Sequence, residues 1–238
     1  MRIPFSIFII LFFAACGQND IQTTTKLLSA SQKTALRIDS LKQIAKDGDL
    51  IVRLTDDLVS EQVKLINEKD KSYSHAGIIF KINDTLKVYN ISPDSADKDE
   101  IKLEPLDSFI NPAKNISCAL YRYTLSGKEI QSLKNTLDSF KSKNVTFDWQ
   151  YNLATDDKMY CAELIDKSLA IATKNRVTIN QTYIPVNMRR LVYHFFKKEK
   201  VPDKVIDERK IITIDNLYLR PDCQRLMSFQ LKQFPGNE

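Results

Sequence analysis

The chain alternates between segments with apolar residues at helical spacing and short apolar runs that are typical of buried strands. Helical spacing predicts helices over residues 26–47, 55–69, 126–142 and 156–173, with a further short helix over 187–198. Short apolar runs predict strands over residues 50–54, 76–82, 86–91 and 117–125. This mixture of elements predicts an α+β fold.

Polar segments separate these elements. Gly48-Asp49 ends the first predicted helix, and Asn83-Asp84 between two apolar runs predicts a β-hairpin. Residues 92–100 are predicted as a polar loop, and residues 147–153 as an extended or looped aromatic segment. Residues 211–222 are predicted as a strand followed by a turn. Because no internal repeat and no strong linker follows residue 25, we expect one catalytic domain over residues 26–238.

The N-terminus has the pattern of an export signal. One positive charge precedes an apolar run over residues 3–13, which is shorter than the roughly 20 residues that span a bilayer but suits a secretory signal peptide. Ala14-Ala15 before Cys16 resembles the lipobox of bacterial lipoproteins, in which the cysteine is lipidated. We therefore expect a lipoprotein signal peptide over 1–15 and a polar tether over 16–25. The alternative is an ordinary signal peptide that is cut nearby, with an incidental cysteine.

Composition narrows the function classes. The chain has 238 residues, of which 43% are hydrophobic and 27% charged, as in ordinary globular proteins. Only five glycines occur, and neither GxGxxG nor GxxxxGK[ST] is present, so a glycine-rich phosphate loop is not expected. The net charge of +5 is spread along the chain rather than clustered, which argues against nucleic-acid binding.

Cysteine usage points to a free thiol. If Cys16 is acylated, three cysteines remain: Cys118, Cys161 and Cys223. An odd number of cysteines in an exported protein leaves at least one thiol unpaired. No CxxC pair and no cluster of cysteines and histidines occurs, so a zinc site is not expected. Acyl transfer by a thiol would need no metal or organic cofactor.

One cysteine and one histidine have the context of a nucleophile and its base. Cys161 lies in the first turn of a helix that Asp156-Asp157 is expected to begin, and a helix N-terminus stabilises a thiolate. His75 opens the apolar run YSHAGIIF, where a rigid strand would hold the imidazole. Asn90, on the partner strand of the hairpin, is the candidate for orienting that ring. The alternative remains open, because such a histidine is more often structural and such a cysteine more often packs as a small hydrophobe.

Five sequence blocks resemble one known family. GDLIVRL, YSHAGIIF, VYNI, FDWQYNL and MYCAELI resemble, in this order, the successive blocks of the permuted papain-like amidases, often called YiiX-like. That family is a circularly permuted branch of the NlpC-type cysteine peptidases, in which the histidine strand precedes the cysteine helix. The resemblance extends from about Gly48 to Ala170. It implies a permuted papain-like fold, with a small antiparallel sheet or partial barrel packed against helices that include the nucleophile helix.

Site residues can be carried over position by position. The resemblance implies Cys161 as the nucleophile, His75 as the general base and Asn90 at the third polar position, where related proteins often have His or Glu. An asparagine orients an imidazole but supplies no charge, so the third role stays open. Three more positions are candidates for binding substrate, with a structural role as the alternative for the two aspartates: Tyr160, Asp49 and Asp148.

These observations predict an envelope-anchored cysteine amidase or peptidase that forms a thioester acyl-enzyme, with acyl transfer as a variant of the same chemistry. The expected substrate is a cell-wall peptide or a lipid-linked amide or ester. The expected location is a bacterial membrane, the outer in preference to the inner. The alternatives are an inactive lipoprotein that keeps the fold as a binding module, and a purely structural envelope protein. The oligomeric state is left open.

Overall fold

The computed structural model describes residues 28–93, 99–185, 188, 192–193, 196–197 and 200–232. The predicted signal peptide, Cys16 and the tether lie outside these residues, and the predicted helix at 187–198 lies mostly outside them. Within the described part, no helix has both the length and the hydropathy to cross a membrane.

Ten strands occur in the described residues: β1 (Leu50–Thr55), β2 (His75–Ile82), β3 (Thr85–Asn90), β4 (Lys102–Pro105), β5 (Asn115–Tyr123), β6 (Thr146–Phe147), β7 (Lys158–Met159), β8 (Thr182–Tyr183), β9 (Lys210–Ile211) and β10 (Cys223–Gln230). Six of them form one antiparallel sheet in the order β10-β5-β1-β2-β3-β4. The others form two small pairs, β6 with β7 and β8 with β9. The predicted α+β class with an antiparallel sheet is confirmed.

Seven helices are present among the described residues: α1 (Ala30–Ile44), α2 (Leu58–Ile66), α3 (Leu106–Phe109), α4 (Gly127–Ser142), α5 (Cys161–Ala172), α6 (Asp203–Glu208) and α7 (Ile214–Tyr218). The two longest begin at serine caps. Ser29 and Ser126 each accept a backbone N–H three residues ahead, and Gln32 and Glu129 reach back to the cap N–H. These reciprocal bonds satisfy donors that a helix N-terminus otherwise leaves unpaired.

Both faces of the sheet are covered, which explains the nearly continuous apolar runs of its central strands. On one face, Leu50 and Val52 pack in a cluster that includes side chains of α4 and α5. On the other face, Ile51 packs with Leu41 of α1 and Phe109 of α3. The N-terminus of α5 and the start of β2 are therefore both held by buried structure.

The predicted hairpin is confirmed. Asn83 and Asp84 join β2 to β3 with φ of 49° and 61°, the left-handed conformation that a tight two-residue hairpin turn requires. This turn sets the register of β2 on β3, and the register brings the far end of β3 back to the start of β2.

The prediction for the C-terminal segment was wrong in part. Ile211 ends strand β9 and residues 221–222 form a turn, but helix α7 lies between them in place of a continuous strand, and β10 follows as an edge strand beside β5. Asp215 in α7 accepts the backbone N–H of Lys69 at 2.6 Å and of Asp70 at 3.1 Å. This short helix depends on a contact with residues far away in the chain, so local patterning did not reveal it.

Candidate active site

Cys161 is the first residue of the helix that carries it. The expectation that Asp156-Asp157 begins this helix was wrong, because Lys158–Met159 pairs with Thr146–Phe147 and keeps the chain extended up to Tyr160. The thiol therefore lies at the very end of the helix dipole, where an anion is favoured most. Cys161 is partly exposed, whereas Cys118 and Cys223 are buried.

Backbone N–H groups favour the ionised form of the Cys161 thiol. Burial raises the pKa of the thiol to about 11, and this rise is opposed by hydrogen bonds from the N–H groups of Ala76, Ala162 and Cys161 and by the positive charge of Arg53. Ala76 directly follows His75, so the sulfur lies beside the start of β2. The resting thiol is protonated, with donors in place to stabilise the thiolate.

His75 is buried at the start of β2, and its ring packs on Phe109 with 5.5 Å between ring centroids. Its Nε2 lies 3.1 Å from Oδ1 of Asn90, as the sequence predicted for these two residues. Burial, with a contribution from Arg53, lowers the pKa of His75 to about 3, and the bond to Asn90 opposes this. The imidazole is therefore neutral at physiological pH.

The structure does not join all three predicted residues by hydrogen bonds. His75 bonds to Asn90 but makes no described hydrogen bond to the Cys161 sulfur. In free enzymes such catalytic hydrogen bonds are commonly long and tighten when substrate binds. With both groups neutral at rest, the proton would pass from the thiol to the imidazole as the sulfur attacks.

Gly77 explains why the YSHAGI block contains a glycine. A Cβ atom at this position would lie 2.8 Å from the carbonyl oxygen of Tyr89 and 2.3 Å from a methyl carbon of Val88. Both distances are well inside van der Waals contact, so only glycine lets β3 approach this closely. The close approach is what brings Asn90 to His75.

Arg53 is a site residue that sequence reasoning missed. It lies opposite His75 in the β1–β2 ladder, and its guanidinium lies 4.1 Å above the ring of Phe109 and donates to the Phe109 carbonyl. Its charge acts on both His75 and Cys161. The available signal was a single cation within the apolar strand LIVRL.

Glu104 is a second residue that was missed. Oε1 of Glu104 accepts a hydrogen bond of 2.9 Å from Nδ2 of Asn90. The Asn90 side chain is almost fully buried. Because Glu104 lies on β4, its position depends on how that strand pairs with β3, and the weakly alternating segment IKLEP gave no sign of it.

Asp49 is not brought to the site. It lies just before β1, at the end away from Arg53, and both of its oxygens bind Arg122 at 2.7 Å. It also accepts the N–H of Lys46 at 2.8 Å. Because its carboxylate is bound in this way, the position of Asp49 fits a structural role better than substrate binding.

Asp148 and Tyr160 are likewise bound to protein groups. Asp148 is buried and accepts the backbone N–H groups of Gln150 and Asn152, which shapes the loop after β6. The hydroxyl of Tyr160 accepts the N–H of Ile212 at 2.6 Å, and its ring lies 4.6 Å from that of Tyr151. Both residues support the chain around Cys161 without offering it a free polar group.

Two surface pockets lie away from these residues. One, of about 590 Å³, lies between the end of α4 and the outer side of α5, and the other, of about 370 Å³, adjoins residues 152–154 and 208–210. Neither is lined by Cys161, His75 or Asn90. These pockets therefore give no information on the substrate of the Cys161 site.

Comparison with known proteins supports the same fold. Residues 44–210 match a family described as "Permuted papain-like amidase enzyme, YaeF/YiiX, C92 family". No curated protein matches the chain significantly. Among solved structures, the chain is similar to the metalloprotein yiiX from Escherichia coli O157:H7, with 21% identity and a TM-score of 0.62, over 77% of this chain and 97% of that one. The predicted permuted papain-like fold is confirmed.

Proposed function

The chain belongs to the permuted papain-like amidase family, and we propose that it is a cysteine hydrolase whose Cys161 sulfur attacks the carbonyl carbon of an amide or ester. The main support is the position of this thiol. It is the partly exposed cysteine of the described residues, at a helix N-terminus, and the N–H of Ala76, the residue after His75, helps to lower its pKa.

The proposed reaction uses side chains of this chain and one water. His75 takes the thiol proton as the sulfur attacks the carbonyl carbon, and the resulting oxyanion is stabilised by backbone N–H groups at the start of α5. The imidazolium then protonates the leaving amine or alcohol, and a thioester to Cys161 remains. His75 next takes a proton from water, whose oxygen attacks the thioester and releases a carboxylic acid and the free thiol.

A metal is not part of this reaction. The related Escherichia coli structure is described as that of a metalloprotein. Across the described residues of this chain, no three His, Cys, Asp or Glu side chains gather closely enough to hold a metal ion. The guanidinium of Arg53, which acts on both Cys161 and His75, would also repel a cation. The described residues therefore do not fit a metal, and we derive no step through one.

We also propose that the enzyme works at the bacterial envelope. The support is the signal-like segment 1–15 followed by Cys16, which would anchor the domain by lipid through the polar residues 16–25. We favour the outer membrane. An anchored enzyme on a short tether meets the cell wall and membrane lipids, so the proposed substrates are a wall peptide or a lipid-linked amide or ester.

The function is tested by hydrolysis assays with cell-wall peptide fragments and with acyl amides and esters, read by mass spectrometry. We expect Cys161→Ala to lower cleavage of any substrate found by roughly a thousandfold or more. The matched control is Cys223→Ala, which removes a buried thiol outside the site and should retain activity. Undiminished cleavage by Cys161→Ala would refute the mechanism, and binding without cleavage by the wild type would favour the binding-module alternative.

A further inference from the structure

Asn90 is placed between an imidazole and a carboxylate. Its Oδ1 lies 3.1 Å from Nε2 of His75, and its Nδ2 lies 2.9 Å from Oε1 of Glu104. Asn90 is 1% exposed and His75 is 8% exposed, so water has little access to compete for these bonds. The three side chains form one continuous line of polar groups from β4 through β3 to β2.

The chemistry of the groups fixes the direction of every bond in this line. A carboxylate only accepts hydrogen bonds, so the side of the Asn90 amide that faces Glu104 must be the NH₂ group. The side that faces His75 is then the carbonyl oxygen, which also only accepts. Nε2 of His75 must therefore carry the hydrogen, and Nδ1 is left with the lone pair that can receive a proton.

Without Glu104, nothing in this line would choose between the two amide orientations. A flipped Asn90 would present its NH₂ group to Nε2 and would favour the imidazole with hydrogen on Nδ1. That tautomer cannot accept the thiol proton at Nδ1. We propose that Glu104 is a positioning residue that acts through Asn90 to hold His75 in the tautomer needed for catalysis.

This proposal deepens the proposed function and rests on it for its catalytic meaning. It also answers the question that an asparagine at the third position raises. The negative charge that an asparagine lacks is supplied one hydrogen bond further away, by a residue from the neighbouring strand. Within the described residues, Arg53 acts electrostatically on Glu104 as well, so the carboxylate also has a cation in its surroundings.

The tautomer can be observed directly, because the chain has only two histidines. In ¹⁵N-labelled full-length protein at a pH of about 7.5, the two ring nitrogens of a neutral imidazole give separate signals for the protonated and the unprotonated atom. A His194→Gln variant assigns the signals of His75. We expect the wild type to show hydrogen on Nε2.

Variants of Glu104 give the comparison. Glu104→Met removes the acceptor, and we expect a mixture of the two tautomers and a fall in kcat of roughly tenfold or more, with little change in KM. Glu104→Gln keeps the size of the side chain but can offer either an oxygen or an NH₂ group to Asn90, so it no longer fixes the amide and should also give a mixture of the two tautomers and a lower kcat. Asp107→Asn is the control, because it removes a nearby exposed carboxylate that pairs with Lys42 and should leave both readouts unchanged.

The outcomes separate this proposal from the proposed function. Hydrogen on Nδ1 in the wild type, or unchanged tautomer and kcat in Glu104→Met, would overturn the role of Glu104 and leave the role of Cys161 intact. If Glu104→Met does not fold, the wild-type tautomer and the Glu104→Gln variant still decide the matter. Activity that survives Cys161→Ala would instead refute the hydrolase mechanism while the tautomer result stands.

Discussion

Arg53 and His75 face each other across the β1–β2 ladder, with the ring of Phe109 close to both. A fixed positive charge at this position disfavours protonation of the imidazole and favours the thiolate of Cys161. Arg53 thus favours the thiolate and keeps the resting imidazole neutral and able to accept a proton, while it opposes the imidazolium that forms as the reaction proceeds.

Removing this charge should make the thiol harder to ionise. In Arg53→Met the length and apolar packing over Phe109 are largely kept, and we expect alkylation of Cys161 near neutral pH to slow by about threefold to tenfold. Alkylation rates against pH, with the site identified by peptide mapping, measure this effect. Arg53→Lys keeps a charge and should lie closer to the wild type, so equal rates in all three proteins would argue against the role of Arg53.

Gly77→Ala should damage both stability and the site. The new Cβ would meet the backbone of β3, so we expect a loss of about 2 kcal/mol in the free energy of unfolding and a wider separation of His75 from Asn90. Denaturant unfolding measures the first effect and kcat the second. Gly127→Ala is a matched control because a Cβ there meets nothing within 4 Å, and a similar loss in both variants would contradict the explanation.

The buried His75 should make the protein acid-sensitive. Its native pKa of about 3 lies below the value of about 6.5 in an unfolded chain, so between these values the unfolded state binds the extra proton. Stability should therefore fall as the pH falls, by about 2 kcal/mol between pH 7 and pH 5 from this group alone. Unfolding curves for the wild type and His75→Gln test this, and equal pH dependence in both proteins would contradict it.

Asp49 should prove structural rather than substrate-binding. Asp49→Asn keeps the size of the side chain but removes the charge that pairs with Arg122, and we expect a loss of about 2 kcal/mol in stability. The KM of the folded variant should stay close to that of the wild type. A raised KM with unchanged stability would instead place Asp49 in substrate binding.

The sequence revealed those site residues whose local context is unusual. Cys161 and His75 are single polar or reactive residues within apolar patterns, and the hairpin signal at Asn83-Asp84 allowed Asn90 to be placed beside His75. The five blocks added their order along the chain, from which the permuted fold follows. The strands and long helices were predictable for the same reason, since their apolar periodicity is strong.

What the sequence did not reveal depends on contacts between distant segments. Glu104 meets Asn90 only because β4 pairs with β3 in one particular register. Strand β10 is an edge strand with most of its residues at least partly exposed. Its sequence therefore lacks the alternation of apolar and polar residues that would predict a strand. Helix α5 begins later than predicted because Lys158 and Met159, just before it, pair with β6. None of these facts is encoded in the local pattern.

The most direct test of the account is selective labelling of the thiols. We expect iodoacetamide, at a pH of about 8, to modify Cys161 at least about tenfold faster than Cys118 or Cys223, whose buried thiols have their pKa raised to about 12. Labelling of Cys161 should slow in His75→Gln, measured by peptide mass spectrometry. Equal labelling of the three cysteines, or labelling of Cys161 that does not depend on His75, would contradict the claim that these two residues form a catalytic pair.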